Sequence, residues 1–154
     1  MSRKHLVSKG GGVVICGLIF EHGHGSACGR YLYIEIHPDL IRELRYSLPD
    51  GSGRAVLSQL HLSRDRWREV VDCVERMKLK KARLPRWRKL LHGRKMDGTE
   101  YRRLVLLIAS GHRVKPTEYV VTPSKESALL ERILSDIAEE QMNILGPQYS
   151  CVRK

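Results

Sequence analysis

Along this chain, stretches whose apolar residues recur at every second position give way to stretches where they recur at every third or fourth. Residues 31–37 alternate cleanly, with Leu32, Ile34 and Ile36 on one side and Tyr31, Tyr33, Glu35 and His37 on the other. That period of two predicts a half-buried strand. Residues 13–20 are almost wholly apolar and rich in β-formers, so they predict a buried strand. Residues 21–30 hold three glycines, two histidines and a cysteine and read as a loop. Residues 41–48 and 54–62 flank Pro49-Asp50-Gly51-Ser52-Gly53 and predict a β-hairpin. Leu44, Tyr46 and Leu48 would share one face of its first strand, and Val56, Leu60 and Leu62 one face of its second. Pro38 and Asp39 offer an alternative opening for a short helix through Arg45.

The period then changes. Ser63 suits a helix N-cap, and Trp67, Val70, Val71, Val74 and Met77 follow at helical spacing, with Asp72 and Cys73 beside them. The pattern fades near Arg83, and Pro85, Gly93 and Asp97-Gly98 interrupt the chain. Residues 100–109 and 114–121 predict two further strands. Thr122-Pro123 suits the cap and first position of a last helix, whose apolar stripe is Leu130, Ile133, Leu134, Ile137, Ile144 and Leu145. A strand, a hydroxyl cap and an amphipathic helix thus occur twice. The pattern predicts an α+β fold, an antiparallel β-sheet with covering amphipathic helices in the order ββββα followed by ββα. Residues 13–146 would form one domain between a basic arm (1–12) and a tail (147–154).

Composition narrows the classes. With 154 residues, 42% of them hydrophobic, the chain has the means to build a core. No apolar run approaches the roughly 18 residues of a membrane span, and the N-terminus lacks a signal-peptide core, so no membrane partner is expected. Four cysteines (Cys16, Cys28, Cys73, Cys151) are too few for a disulfide-dense scaffold. Reduced thiols inside the cell, in a nuclear or cytoplasmic compartment, are the simpler expectation. Lys80-Lys81-Ala82-Arg83 also fits a short basic nuclear-import pattern.

The formal charge is +11, and its distribution matters more than its size. Ten basic residues fall within positions 76–95 without a single acid: Arg76, Lys78, Lys80, Lys81, Arg83, Arg86, Arg88, Lys89, Arg94 and Lys95. A solvated helix face interleaves both signs, as residues 131–140 do. Like charges at this density repel one another, and a polyanion relieves the repulsion while releasing condensed counterions. Trp87, inside the run, could stack on an unpaired base or anchor a short helix on the core. Trp67 belongs to the apolar stripe. If Leu32, Ile34 and Ile36 face the core, Tyr31 and Tyr33 stand together on the other face, either as a stacking platform or beneath a second layer. Arg102 and Arg103 point to opposite faces of their strand, so one of them can reach a bound backbone.

Cys16, His22, His24 and Cys28 form the one candidate metal cluster, and two thiols with two imidazoles would satisfy tetrahedral zinc. Their spacing matches no common structural zinc module, and a Gly-rich loop that happens to contain histidines is the more frequent explanation, so no cofactor is expected apart from zinc at these four. No phosphate-binding Gly-Lys-Ser loop, no Gly-x-Ser-x-Gly elbow and no His-Glu-x-x-His is present, and no catalytic residue is assigned.

The segment Ser58-Gln59-Leu60-His61-Leu62-Ser63-Arg64-Asp65-Arg66-Trp67 resembles the strand, cap and Trp-bearing helix opening of the positive-cofactor-four, PUR and Whirly-like group. The resemblance covers under half of the chain. It implies a curved ββββα unit, often dimeric or duplicated, that binds single-stranded nucleic acid in transcription or RNA handling. It would put Tyr31, Tyr33 and basic strand residues on the binding face. The expected function is therefore binding of single-stranded or structured RNA or DNA, mainly through phosphate contacts and stacking, with a homodimer compatible with an exposed sheet edge. Two alternatives belong to other classes: a metal-dependent nuclease using the histidine-rich segment around Glu21, His22 and His24 or the Glu35–His37 pair, and a regulatory module docking its basic patch on an acidic partner.

Overall fold

The computed structural model describes residues 13–24, 31–48, 53–81, 100–145 and 150–152. The arm 1–12 lies outside them, as do residues 82–99.

Eight strands and two helices follow one another along the chain. The strands are β1 (Val13–His24), β2 (Leu32–His37), β3 (Leu40–Ser47), β4 (Arg54–His61), β5 (Lys80–Lys81), β6 (Glu100–Ser110), β7 (Arg113–Val120) and β8 (Ser150–Val152). Helix α1 (Arg64–Arg76) follows β4, and α2 (Lys125–Leu145) follows β7. All strands join one antiparallel sheet in the order β5-β7-β6-β1-β2-β3-β4-β8. The expected ββββα then ββα order is present, with β5 and β8 as short additions at the two edges. β8 lies in what reads from sequence as a tail; its three residues carry no pattern that announces a strand.

One face of the sheet is covered by both helices. Leu18 and Phe20 from β1, Leu32, Ile34 and Ile36 from β2, and Leu104 and Leu106 from β6 meet Val70, Val71, Cys73 and Val74 of α1 and Leu130, Ile133, Leu134, Ile137 and Ala138 of α2. Each large side chain fully buried there contributes about 1.5–3 kcal/mol. The helices run antiparallel: Arg66 near the start of α1 pairs with Glu140 near the end of α2, and the Cys73 thiol donates to the Glu126 carbonyl at 3.3 Å. Ser63 caps α1 as expected, its hydroxyl accepting from the Arg66 N–H at 3.2 Å.

Several expectations are corrected. β1 runs four residues past Phe20, because Glu21–His24 continue to pair with β6 rather than forming a loop. The alternative helix at Pro38 is a turn between β2 and β3. In β4 it is Ala55 and Leu57 that are buried, not Val56. The alternation slips by one residue at Arg42 of β3, where the register against β2 shifts, and Gln59 opposite has a left-handed φ of 57°. Ile41 and Leu44 therefore both face inward, as do Leu57 and Leu60. The cap of α2 is Ser124, not Thr122: the Ser124 hydroxyl accepts from the Ser127 N–H at 3.0 Å and the Ser127 hydroxyl from the Ser124 N–H at 2.9 Å, a reciprocal cap that starts the helix later. Ile144 is 73% exposed and leaves the stripe, and Met142 packs against the core instead.

Candidate functional site

The face of the sheet opposite the helices carries the aromatic and charged residues. Tyr33 and Glu35 project there because their neighbours Leu32, Ile34 and Ile36 are committed to the core. Pairing then decides what meets them. β1 brings Glu21 opposite Tyr33 of β2 and opposite Arg103 of β6, and β3 sets Arg45 opposite Tyr33 on its other side.

Glu21 is the centre of this face and is only 9% exposed. Its carboxylate accepts from the Tyr31 hydroxyl at 2.5 Å and the Tyr101 hydroxyl at 3.2 Å, and Arg103 approaches it at 3.6 Å. The Arg54 guanidinium lies over the Tyr31 ring, 3.8 Å from its centroid, and Arg45 lies over Tyr33 at 4.8 Å. Arg45 also donates to Glu43 at 2.6 Å, while His37 and Arg42 both engage Glu35. Four arginines (42, 45, 54, 103) are thereby interleaved with four glutamates (21, 35, 43, 118). Burial, reinforced by the Glu21 charge, pushes the Tyr31 phenol well above its ordinary range, and the same causes bring Tyr101 up to about 12. Burial and the Glu35 carboxylate raise Tyr33 too.

Tyr31 and Tyr33 thus stand on the face expected of them, yet they are not bare. Tyr31 is buried, and each ring has one side occupied by a guanidinium. Arg103, Glu21 and Glu35 are candidates from sequence in other roles, but their meeting in one network with Arg42, Arg45, Arg54, Glu43 and Glu118 is not legible there. Their signal is hidden because Glu21 and Arg103 lie 82 positions apart and meet only through β1–β6 pairing.

Arg102 and Arg103 point to opposite faces as expected. Arg103 joins the Glu21 network. Arg102 turns to the helix side, donating to Glu131 of α2 at 2.9 Å and contacting Glu100 at 3.4 Å. There it borders a cleft of about 440 Å³ with Ser124, Ser127, Glu131 and Arg132. His22 occupies the same side, with one ring nitrogen bonded to Glu100 and the other to Glu131. Its pKa is raised, first by the Glu131 bond and then by Glu100, against an opposing effect of burial.

The four candidate zinc ligands are not gathered as the sequence suggests. Cys16 and His22 lie six residues apart on one extended strand, about 20 Å, too far for one ion to hold both. Burial pushes the Cys16 thiol up, and it donates to the Leu107 carbonyl at 3.3 Å, so it is not the thiolate that a metal needs. His24 ends β1 opposite Glu100, and Cys28 lies outside the described residues. Among the described residues no group of three or more His, Cys, Asp or Glu side chains is placed to hold a metal ion.

Of the basic run, Arg76 ends α1, Lys78 follows it, and Lys80 and Lys81 form β5. All four are exposed. None of them pairs with an acid among the described residues, although α1 and α2 carry many carboxylates. Arg83, Arg86, Trp87, Arg88, Lys89, Arg94 and Lys95 lie outside the described residues. No helix among the described residues is long and apolar enough to cross a membrane. No protein-family model matches this chain, and neither a curated protein nor a solved structure matches it.

Proposed function

We propose that the chain binds nucleic acid, single-stranded or structured, chiefly through the phosphate backbone and with guanidinium and aromatic stacking as a second contribution. The observation that carries this reading is the acid-free run of ten cations at positions 76–95, whose four described members are exposed and lack acidic partners among the described residues. Elsewhere several described arginines are matched, Arg45 with Glu43, Arg66 with Glu69 and Glu140, Arg102 with Glu131, and those unmatched among the described residues, such as Arg64, Arg68 and Arg132, are not part of an acid-free run of this length. Like charges at that density repel one another, and an external polyanion relieves the repulsion. A transcriptional or RNA-regulatory role, and a homodimer, extend the same proposal from the resemblance to the positive-cofactor-four, PUR and Whirly-like group.

Of the residues named for the nuclease alternative, His22 has both ring nitrogens engaged by carboxylates. Fluorescence anisotropy with labelled single-stranded RNA, single-stranded DNA and duplex DNA over a range of salt tests the proposal. The logarithm of the association constant should fall linearly with the logarithm of salt concentration, with a slope of up to about −7 on a single strand if all ten cations contact phosphates. No binding at low salt, or binding indifferent to salt, overturns it.

A further inference from the structure

The basic run does not end the line of uncompensated charge. β5 pairs with β7 only at Lys80–Val120 and Lys81–Tyr119, so the outer edge of β7 from Arg113 to Glu118 has no strand beside it among the described residues. That edge exposes Arg113 and Lys115, and Pro116 removes one backbone donor from it. Alternation puts Arg113, Lys115 and Tyr119 on one face of β7, and Lys81, opposite Tyr119, on the same face. Glu118, the one acid of β7, lies on the other face, toward Arg103. Neither Arg113 nor Lys115 pairs with an acid among the described residues.

Edge strands commonly carry lysine and proline as a guard against pairing with another chain. A guard accounts for Pro116 and for isolated charges. It does not account for Arg76, Lys78, Lys81, Arg113 and Lys115 gathered along a single rim, with Lys80 beside them on the Val120 face, where their mutual repulsion opposes folding. The direction of the chain adds a second point. β5 is antiparallel to β7, so at Lys81 it is heading along the β7 edge toward Arg113, about 20 Å away.

We propose that a bound nucleic-acid strand lays its phosphate backbone along this rim, from the end of α1 across β5 and down the edge of β7, and that Arg113 and Lys115 are phosphate-contacting residues. The proposal rests on the nucleic-acid-binding reading above. It adds residues 32 or more positions beyond Lys81, brought into line only by sheet order.

The test uses the full chain and labelled oligouridylate, a weakly stacking strand that reports backbone contacts. Arg113→Gln with Lys115→Gln alters two exposed side chains that make no hydrogen bond among the described residues. Arg64→Gln with Arg68→Gln removes the same charge from the opening turns of α1, away from the rim. The rim pair should weaken binding roughly tenfold at low salt and flatten the salt slope by about 1.4, two contacts at about 0.7 each, while the α1 pair leaves the slope unchanged. Equal effects of the two pairs, or none from the rim pair while the unaltered chain binds, overturn the rim and leave the general reading standing. Failure of the unaltered chain to bind at any salt removes both.

Discussion

Glu21 shows how one buried carboxylate organises a sheet face. It accepts two phenol hydrogens and faces Arg103, so its lone pairs are satisfied where few waters reach. Gly23 makes the arrangement sterically possible: a Cβ at that position would stand 2.8 Å from Tyr31 Cδ1 and 3.0 Å from the Tyr101 hydroxyl oxygen. Gly23→Ala should therefore cost about 1–3 kcal/mol, seen as a lower urea midpoint with an unchanged slope of unfolding. The phenols give an independent readout. Because the folded chain raises the Tyr101 pKa from 10.0 to about 12, the fold favours the neutral phenol. That contribution is complete below pH 10 and is lost as pH rises toward 12. In Glu21→Gln the raising charge is gone but burial, the larger cause, remains. Ultraviolet titration should then find Tyr31 and Tyr101 ionising at lower pH than in the unaltered chain, still above an exposed tyrosine. Unchanged titration would show that Glu21 does not set the character of this face.

Between elements, His22 links β1 to β6 through Glu100 and to α2 through Glu131, with Arg102 alongside. A neutral imidazole has one N–H and can donate to only one carboxylate, so both bonds exist together only in the imidazolium form. The folded pKa of His22 is raised above 6.5, so its contribution is complete below 6.5 and fades as pH rises through the folded value. Glu131 is lowered below 4.5, first by the His22 bond, so its share is complete above 4.5 and lost as pH falls further. The clasp is strongest between the two. His22→Gln should cost about 1–2 kcal/mol near pH 5.5, discounted for the exposure of Glu100, and clearly less near pH 8.5. Urea unfolding at both pH values checks the difference; an equal cost at both would mean packing, not charge. Ser124→Ala should cost about 1 kcal/mol through loss of the reciprocal cap, read from thermal unfolding. These elements were legible from sequence to different depths. Alternation in residues 31–37 and the stripe from Trp67 to Met77 located β2 and α1 because each has a single wet side. β1 past Phe20 was hidden because Glu21, His22, Gly23 and His24 look like a loop until β6 supplies their partners. The inward turn of Leu57 was hidden by the slip at Arg42 and Gln59, which breaks the period that pattern reading assumes. The tyrosine face was foreseen, but its acidic partners were not, since they come from strands far apart in the chain.

At the scale of the whole molecule, the proposed binding surface draws on the edge strands of the sheet and on the stretch between them. β1 pairs with β2 on one side and β6 on the other, and both helices share one core, so the two stretches of described residues on either side of positions 82–99 interlock into a single body. Residues 82–99 connect those two stretches and hold six of the ten cations of the run, Arg83, Arg86, Arg88, Lys89, Arg94 and Lys95. Replacing residues 82–99 by an uncharged Gly/Ser linker of equal length removes none of the residues that pair β1 with β6. The variant should retain the cooperative unfolding of the parent. Its salt slope on a single strand should flatten by up to about 4, six contacts at about 0.7 each, while the rim cations from Arg76 to Lys81 and at Arg113 and Lys115 sustain residual binding. A folded variant with the parent's affinity and slope would locate recognition on the rim and the arginine–tyrosine face alone. A folded variant with no binding at all would instead make the inserted segment the whole of the interface, with the sheet serving only to hold its two ends.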